Sequence, residues 1–357
     1  MSALFTPLTL RSLTLRNRIG VSPMCQYSSD RGFATDWHLV HLGAFATGGA
    51  GLVLTEAAAV TPEGRISPQD LGIWDDAHIP MLRRITDFCR AQGAVMGIQL
   101  AHAGRKASTR RPWEQPGGTV PLSEGGWDNV MAPSARPFAS NYPSPHELSL
   151  DGIAHVIVSF GAAAIRALEA GFQVVELHAA HGYLLHEFLS PLSNQRSDHY
   201  GGSFENRIRL VLEVTDAVRA VWPAELPLIL RISATDWAEG GWSIEESVQL
   251  AARLHARGVD LLDCSSGGLA AHQQITIGPG YQVPFARRIR AEAGMPTAAV
   301  GLITEAAHAE QIVADGSADM VFLARELLRN PRWPLLAAHA LGAGISWPPQ
   351  YERARLR

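Results

Sequence analysis

Cysteine is scarce: three in 357 residues, Cys25, Cys89 and Cys264. They are odd in number, far apart and form no C-x-x-C pair, which excludes a disulfide framework and a thioredoxin-type redox motif. Neither sign of charge dominates, with 30 basic residues against 34 acidic ones. The short run Arg353-Ala354-Arg355-Leu356-Arg357 is the basic segment of note. It is too small to make an electrostatic case for a nucleic-acid partner. No uninterrupted apolar stretch is long enough for a bilayer, so no membrane partner is expected. The first residues, Met1 to Pro7, lack the charged and apolar regions of a secretory signal, and a cytoplasmic location is the expectation. The phosphate motifs G-x-G-x-x-G and G-K-[ST] are absent, as is His-Glu-x-x-His. That excludes a P-loop and a zincin, and removes the usual mark of a dinucleotide-binding sheet.

Apolar content, by contrast, is ample at 46%, and it is dispensed in short runs. Eight of them read as strands: 19–21, 52–54, 96–100, 174–177, 228–232, 261–264, 297–300 and 320–323. Runs that are apolar nearly throughout, without polar alternation, imply burial on both faces, as in a parallel sheet. Helical patterns lie between them. One runs from Ile153 to Ala170 before Gly171, and one from Phe204 to Val221 with Ser203 as N-cap. Others cover Ile244 to Arg257 and Glu305 to Ala314. Eight strand–helix units in one chain predict an α/β fold, a single (β/α)8 TIM barrel over residues 1–357, with a doubly wound sheet as the rival. Residues 4–18 read as an N-terminal hairpin plugging the lower end. Residues 103–149, rich in Pro and Gly, are too long for an ordinary barrel loop and predict a lid.

In such a barrel the chemistry sits at the C-terminal ends of the strands. The segment after 174–177 is the richest there: His178-Ala179-Ala180-His181-Gly182-Tyr183. His178 and His181 read three ways: histidines satisfied by neighbours, a metal pair, or two donors gripping a substrate oxygen. No acid or cysteine obviously completes a metal set. Tyr183 can deliver a proton. The other strand ends offer Ser22-Pro23-Met24-Cys25, Glu56-Ala57, Gln99 with His102, Arg231, Ser265-Ser266-Gly267, Gly301 and Arg325. The two facing carboxylates of a retaining glycosidase are missing. What remains suits a polar, anionic cofactor. Arg325 and the small residues near it suit a phosphate, Arg231 a negative charge on a reduced ring, and Gln99 a donor–acceptor edge.

Several longer motifs occur in order. They are Asn17-Arg18-Ile19 with Ser22-Pro23-Met24-Cys25-Gln26-Tyr27, Glu56-Ala57-Ala58-Ala59-Val60 with Gly64-Arg65-Ile66, and Gly97 to Lys106. Glu176 to Tyr183, Leu192-Ser193-Asn194, Arg196 to Arg207, Arg325-Glu326-Leu327-Leu328 and Gln350-Tyr351-Glu352-Arg353 complete the set. Through them the chain resembles the Old Yellow Enzyme family of flavin ene-reductases, in its thermophilic-like branch, over nearly its whole length.

The resemblance implies a non-covalent FMN, with NADPH or NADH as hydride donor. Ser22, Pro23, Met24, Cys25 and Ala57 would hold the ring system, Gln99 and Arg231 its pyrimidine edge, and Arg325 with Gly301 and Ala324 the phosphate. His178 and His181 would hold the carbonyl oxygen of an unsaturated substrate (an enone, maleimide or nitroalkene), and Tyr183 would protonate its α-carbon. Cys25 would tune redox behaviour and Tyr27 wall the pocket. Arg353, on a tail over 345–357, would reach the neighbouring active site in a homodimer or dimer of dimers. The chain departs from the family at Ala324, where glycine is usual. A metal-dependent barrel hydrolase and a flavin-binding protein without turnover are the competing readings.

Overall fold

The computed structural model describes residues 2–356. Two short strands, β1 (Leu8–Leu10) and β2 (Leu13–Leu15), pair antiparallel as a hairpin. Its turn places Arg11 at φ 51°, the left-handed conformation a two-residue connection requires. Then follow β3 (Ile19–Val21), α1 (Asp36–Thr47), β4 (Leu52–Ala59), α2 (Ile79–Ala91), β5 (Val95–Ala101), β6 (Met131–Ala132), β7 (His146–Glu147), α3 (Leu150–Glu169) and β8 (Val174–Ala179). The chain continues through α4 (Leu184–Leu189), α5 (Phe204–Arg207), α6 (Arg209–Val221), β9 (Leu228–Ser233), α7 (Ile244–Ala256) and β10 (Leu261–Ser265). It ends with α8 (Val283–Ala293), β11 (Thr297–Val300), α9 (Ala306–Ala314), β12 (Met320–Leu323), α10 (Arg325–Arg329) and α11 (Trp333–Ala340).

Strands β3, β4, β5, β8, β9, β10, β11 and β12 close into a parallel barrel in that order. All are buried at every position, which is why their sequences do not alternate. The predicted barrel is therefore present. Two apolar layers hold it. Inside the lower end, Leu52, Leu54, Val95, Ile229 and Phe322 pack with Leu10 and Leu15 of the hairpin, which stops the barrel as expected. Outside, the strands pack on the helices, with Phe160, Ala164 and Ala167 of α3 fully buried. Burying a side chain such as Phe160 contributes roughly 1.5–3 kcal/mol.

Two helices differ from their sequence reading. Helix α3 starts three residues earlier than Ile153, because Ser149 caps it by accepting from Gly152 N. The 204–221 helix has a break at Ile208 between α5 and α6, although Ser203 caps it as expected. Helix α3 also meets a membrane span's length and mean composition, although Asp151, His155 and Arg166 interrupt its apolar residues, so the expectation of no uninterrupted apolar run stands. Its inward face lies on the barrel and on α6.

The register decides what meets at the upper end. Ala57 pairs with Gln99, and Gln99 with Glu176. His178 pairs with Arg231, and Arg231 with Asp263. A register shift in β4 between Leu54 and Ala57 re-aims the end of that strand, as bulges near sites commonly do.

Candidate active site

His178 is the fifth residue of β8, and the chain turns sharply just beyond it. His181 sits at φ 61° and Gly182 at φ 72°. A left-handed histidine is strained and must be held by its surroundings. Its N–H donates to Ser233 Oγ at 2.9 Å, and its C=O accepts from Lys106 Nζ at 2.8 Å. Gly182 N donates to His186 Nδ1 at 2.9 Å, and His186 lies 2.9 Å from Asp236 in a fully buried pair. A side chain on Gly182 would strike the backbone of Gly268, so glycine is required there. The turn thus brings the three predicted groups together. The His178 ring is 5.3 Å from His181 and 5.0 Å from Tyr183, edge-on to both.

The two histidines are not equivalent. His178 is buried and its Nδ1 has no protein partner. His181 Nε2 faces Ser265 Oγ at 2.7 Å. Burial, with Arg231 next, drives both pKa values well below the usual 6.5. Both imidazoles are therefore neutral and able to donate to an oxygen that gains negative charge. Burial, then Cys25 and Asp70, raises Tyr183 well above 10, so the phenol keeps its proton until a stronger base draws it.

Below them lies a charge layer. Gln99 Nε2 donates to Glu176 Oε1 at 2.7 Å. Arg231 Nε lies 3.1 Å from Asp263 but is not aligned for a hydrogen bond. Burial raises the pKa of both Glu176 and Asp263, Glu176 further by the charge of Asp263, while Arg231 opposes both shifts. Arg231 is the cation that makes an acid in a buried strand tolerable.

Beside Arg231 opens a cavity of about 230 Å³, lined among others by Ser265, Gly301, Ala324 and Arg325. Arg325 is exposed at its outer end. Gly301 has φ 122°, and a Cβ there would come within 2.8 Å of Gln282 Nε2 and 3.0 Å of the Tyr281 ring. Ala324, where the family usually has glycine, stands just before α10 at φ −113° and ψ −99°. Around the barrel mouth, Ser22 Oγ, Glu176 Oε2 and His178 Nδ1 are buried without hydrogen-bond partners in the protein. A cationic outer end, a floor of small residues and unpaired donors and acceptors inward fit an anionic, polar ring system such as FMN.

The loop after β3 carries Ser22, Pro23, Met24, Cys25 and Tyr27, anchored by Ser22 N donating to Leu323 O and by Gln26 N donating to Glu56. Cys25 is half-buried. Burial raises its pKa, with the Asp70 and Glu56 carboxyls adding to the effect, so it is a thiol, not a thiolate. Tyr27, at φ 50°, meets Trp113 of the 103–149 segment edge-on at 5.6 Å. It packs with Cys25 and Tyr183 against Ile66, Ala103 and Val130. Arg353 stands exposed on the C-terminal turn Pro349–Ala354 and does not line the cavity.

Several residues of the site were not singled out from the sequence. Lys106 donates to His181 O and Gly268 O, and burial lowers its pKa to about 7. Asp70, Asp263, Ser265 as partner of His181, and Glu187, which accepts from Arg105 N at 2.9 Å, also belong. A signal existed for one of them. An aspartate inside the apolar run Leu261-Leu262-Asp263-Cys264 demands a buried partner.

Residues 3–342 match the NADH:flavin oxidoreductase / NADH oxidase family. An NADPH dehydrogenase of Geobacillus thermodenitrificans is 51% identical over 99% of this chain and 98% of its own length. One of Bacillus subtilis is 48% identical, covering 98% of each. A solved morphinone reductase in complex with tetrahydroNAD superposes with a TM-score of 0.78 at 28% identity, covering 97% of this chain and 93% of its own.

Proposed function

The chain belongs to the NADH:flavin oxidoreductase / NADH oxidase family, the Old Yellow Enzyme family, and is an FMN-dependent NADPH oxidoreductase; from that premise we propose that it reduces the C=C bond of α,β-unsaturated carbonyl compounds and their analogues, such as maleimides and nitroalkenes. The observation that carries this reading is the cluster of His178, His181 and Tyr183 on one turn, two neutral donors beside a protonated phenol.

In this reading Arg325 with Gly301 and Ala324 holds the phosphate, Ser22 to Cys25 with Ala57 holds the ring, and Gln99 and Arg231 hold its pyrimidine edge. Bound FMN supplies a carrier that takes hydride from NADPH and gives it to a second substrate. NADPH and the unsaturated compound use the same mouth in turn, which explains why no dinucleotide fingerprint is needed. His178 and His181 hold the carbonyl oxygen and stabilise the negative charge that grows on it, as an oxyanion hole does. The β-carbon accepts hydride and the α-carbon takes the Tyr183 proton. Cys25, as a neutral thiol beside the ring, adjusts its potential, and Tyr27 walls the pocket.

Residues 1–357 act as one domain, with 103–149 as a lid over the mouth. A homodimer brings Arg353 into the neighbouring site, a reading supported by its exposed position on the tail. Three free cysteines agree with a reducing, cytoplasmic setting. The proton role is tested with Tyr183→Phe. Reoxidation of the reduced enzyme by cyclohexenone should slow by about 10²-fold or more, the scale of a positioned acid, with reduction by NADPH little changed. Equal slowing of both would remove Tyr183 as the donor.

A further inference from the structure

Asp70 lies in the loop after β4, outside the set of residues that bind cofactor or substrate. Ala59 N donates to Leu71 O and Ile73 N to Ala59 O, so the loop runs along the end of β4. The Asp70 side chain is 2% exposed. One oxygen, Oδ2, accepts from Ile66 N at 2.6 Å. The other, Oδ1, is buried with no hydrogen-bond partner. A partnerless polar atom at this depth is costly unless something meets it.

What it meets is a small chamber. Asp70 and Tyr183 line a cavity whose other walls include Ala57, Ala59, Ala101 and Ala103. The space open to the centre of a water molecule there is about 10 Å³, roughly what one water needs. Four alanines keep it clear, and Asp70 and Tyr183 supply its polar side chains. Among the described residues, the groups around the Asp70 carboxyl are Glu56, Cys25, Tyr27 and Tyr183, with Arg65 as a cation. Burial, then Glu56, raises its pKa well above the ordinary value, against the Ile66 N–H that donates to it and against Arg65. Asp70 therefore tends to keep its proton, and Oδ2 is the acceptor, which leaves Oδ1 to carry it.

We propose that Asp70 is a positioning residue that relays a proton to Tyr183 through one water held in this chamber. The relay rests on Tyr183 being the donor to the substrate. As the Tyr183 O–H bond breaks and the α-carbon–H bond forms, the water gives a proton to the tyrosine oxygen. The water takes the Asp70 Oδ1 proton in the same motion, and Asp70 is left as a carboxylate. Solvent returns the proton before the next turnover and is the source of the one proton that each reduction consumes. Lys106 is an alternative source. It lies 5.7 Å from the ring centroid of Tyr183, with two of its N–H groups committed to His181 O and Gly268 O.

The test is a single turnover of the FMN-loaded enzyme, reduced anaerobically with NADPH and mixed with 2-cyclohexenone in H2O–D2O mixtures. The wild-type rate should fall along a curve as deuterium rises, because several protons move together. Asp70→Asn keeps an oxygen for Ile66 N but has no proton to pass on. It should be slower by roughly 10-fold, less than the ~10²–10⁴ of a directly placed acid, and its dependence should be straight. Ala59→Val, which fills the chamber and leaves Asp70 intact, should behave like Asp70→Asn, and Asp70→Glu should recover part of the rate. Reoxidation by ferricyanide, which puts no proton on carbon, is the reference and should not change. Asp70→Asn and Ala59→Val enzymes that match the wild type in rate and curvature would overturn the relay. If Tyr183→Phe is slow while those two are normal, the relay alone is wrong. If Tyr183→Phe is also normal, the donor assignment beneath it has failed.

Discussion

The unequal bonding of the two histidines leads to a quantitative asymmetry. An oxygen arriving at the mouth finds His178 with Nδ1 unpartnered, so a hydrogen bond there displaces no protein bond. Bonds to a charged oxygen contribute about 1.5–3 kcal/mol, which at about 1.4 kcal/mol per decade is roughly a 10- to 150-fold change in affinity. His181 Nε2 already faces Ser265 Oγ at 2.7 Å. A ligand must exchange that bond, and the net gain drops to that of an ordinary bond, about 0.5–1.5 kcal/mol. His178→Ala should thus weaken a phenolate-type ligand by roughly 10- to 150-fold, and His181→Ala by about 2- to 10-fold. Spectral titration of the flavin with 4-hydroxybenzaldehyde measures both. Since both imidazoles stay neutral, the effects should hold in size from about pH 6 to about pH 8. A larger loss for His181→Ala, or equal losses, would refute the argument from unequal partners.

Two further outcomes follow from the same geometry. Burial lowers His102 to about 4, below its ordinary value near 6.5. The unfolded chain therefore binds a proton first, and the stability that neutral His102 contributes is complete above about pH 6.5. It declines as pH falls toward about 4, by up to about 3 kcal/mol. Urea midpoints should drop over that window, and flat midpoints would contradict the burial argument. Gly301→Ala, at φ 122° and with its Cβ 2.8 Å from Gln282 Nε2, should cost about 1–3 kcal/mol in strain and lower flavin retention. A melt and a flavin-to-protein ratio like those of the wild type would show that the glycine is dispensable.

Much of this arrangement was legible in the chain because barrel strands are buried on both faces. Runs such as Leu228 to Ile232 then stand out from their amphipathic surroundings, and their ends point to the site. His178, His181 and Tyr183 share one turn, so sequence proximity and spatial proximity coincide. The break at Ile208 was not legible, since the apolar period continues through it. Nor was the Asp70 chamber, because a loop has no period to mark which side chain turns inward. The pairings Gln99–Glu176 and Arg231–Asp263 depend on register between strands more than 30 residues apart in sequence, and local pattern says nothing about register.

The central claim is two half-reactions at one site, and an anaerobic visible spectrum tests it most directly. The purified protein should show an oxidised flavin band that bleaches with NADPH and returns when 2-cyclohexenone is added, with saturated ketone formed in equal amount. A band that bleaches but does not return with the enone, while ferricyanide restores it, would contradict the proposed reduction of unsaturated carbonyl compounds.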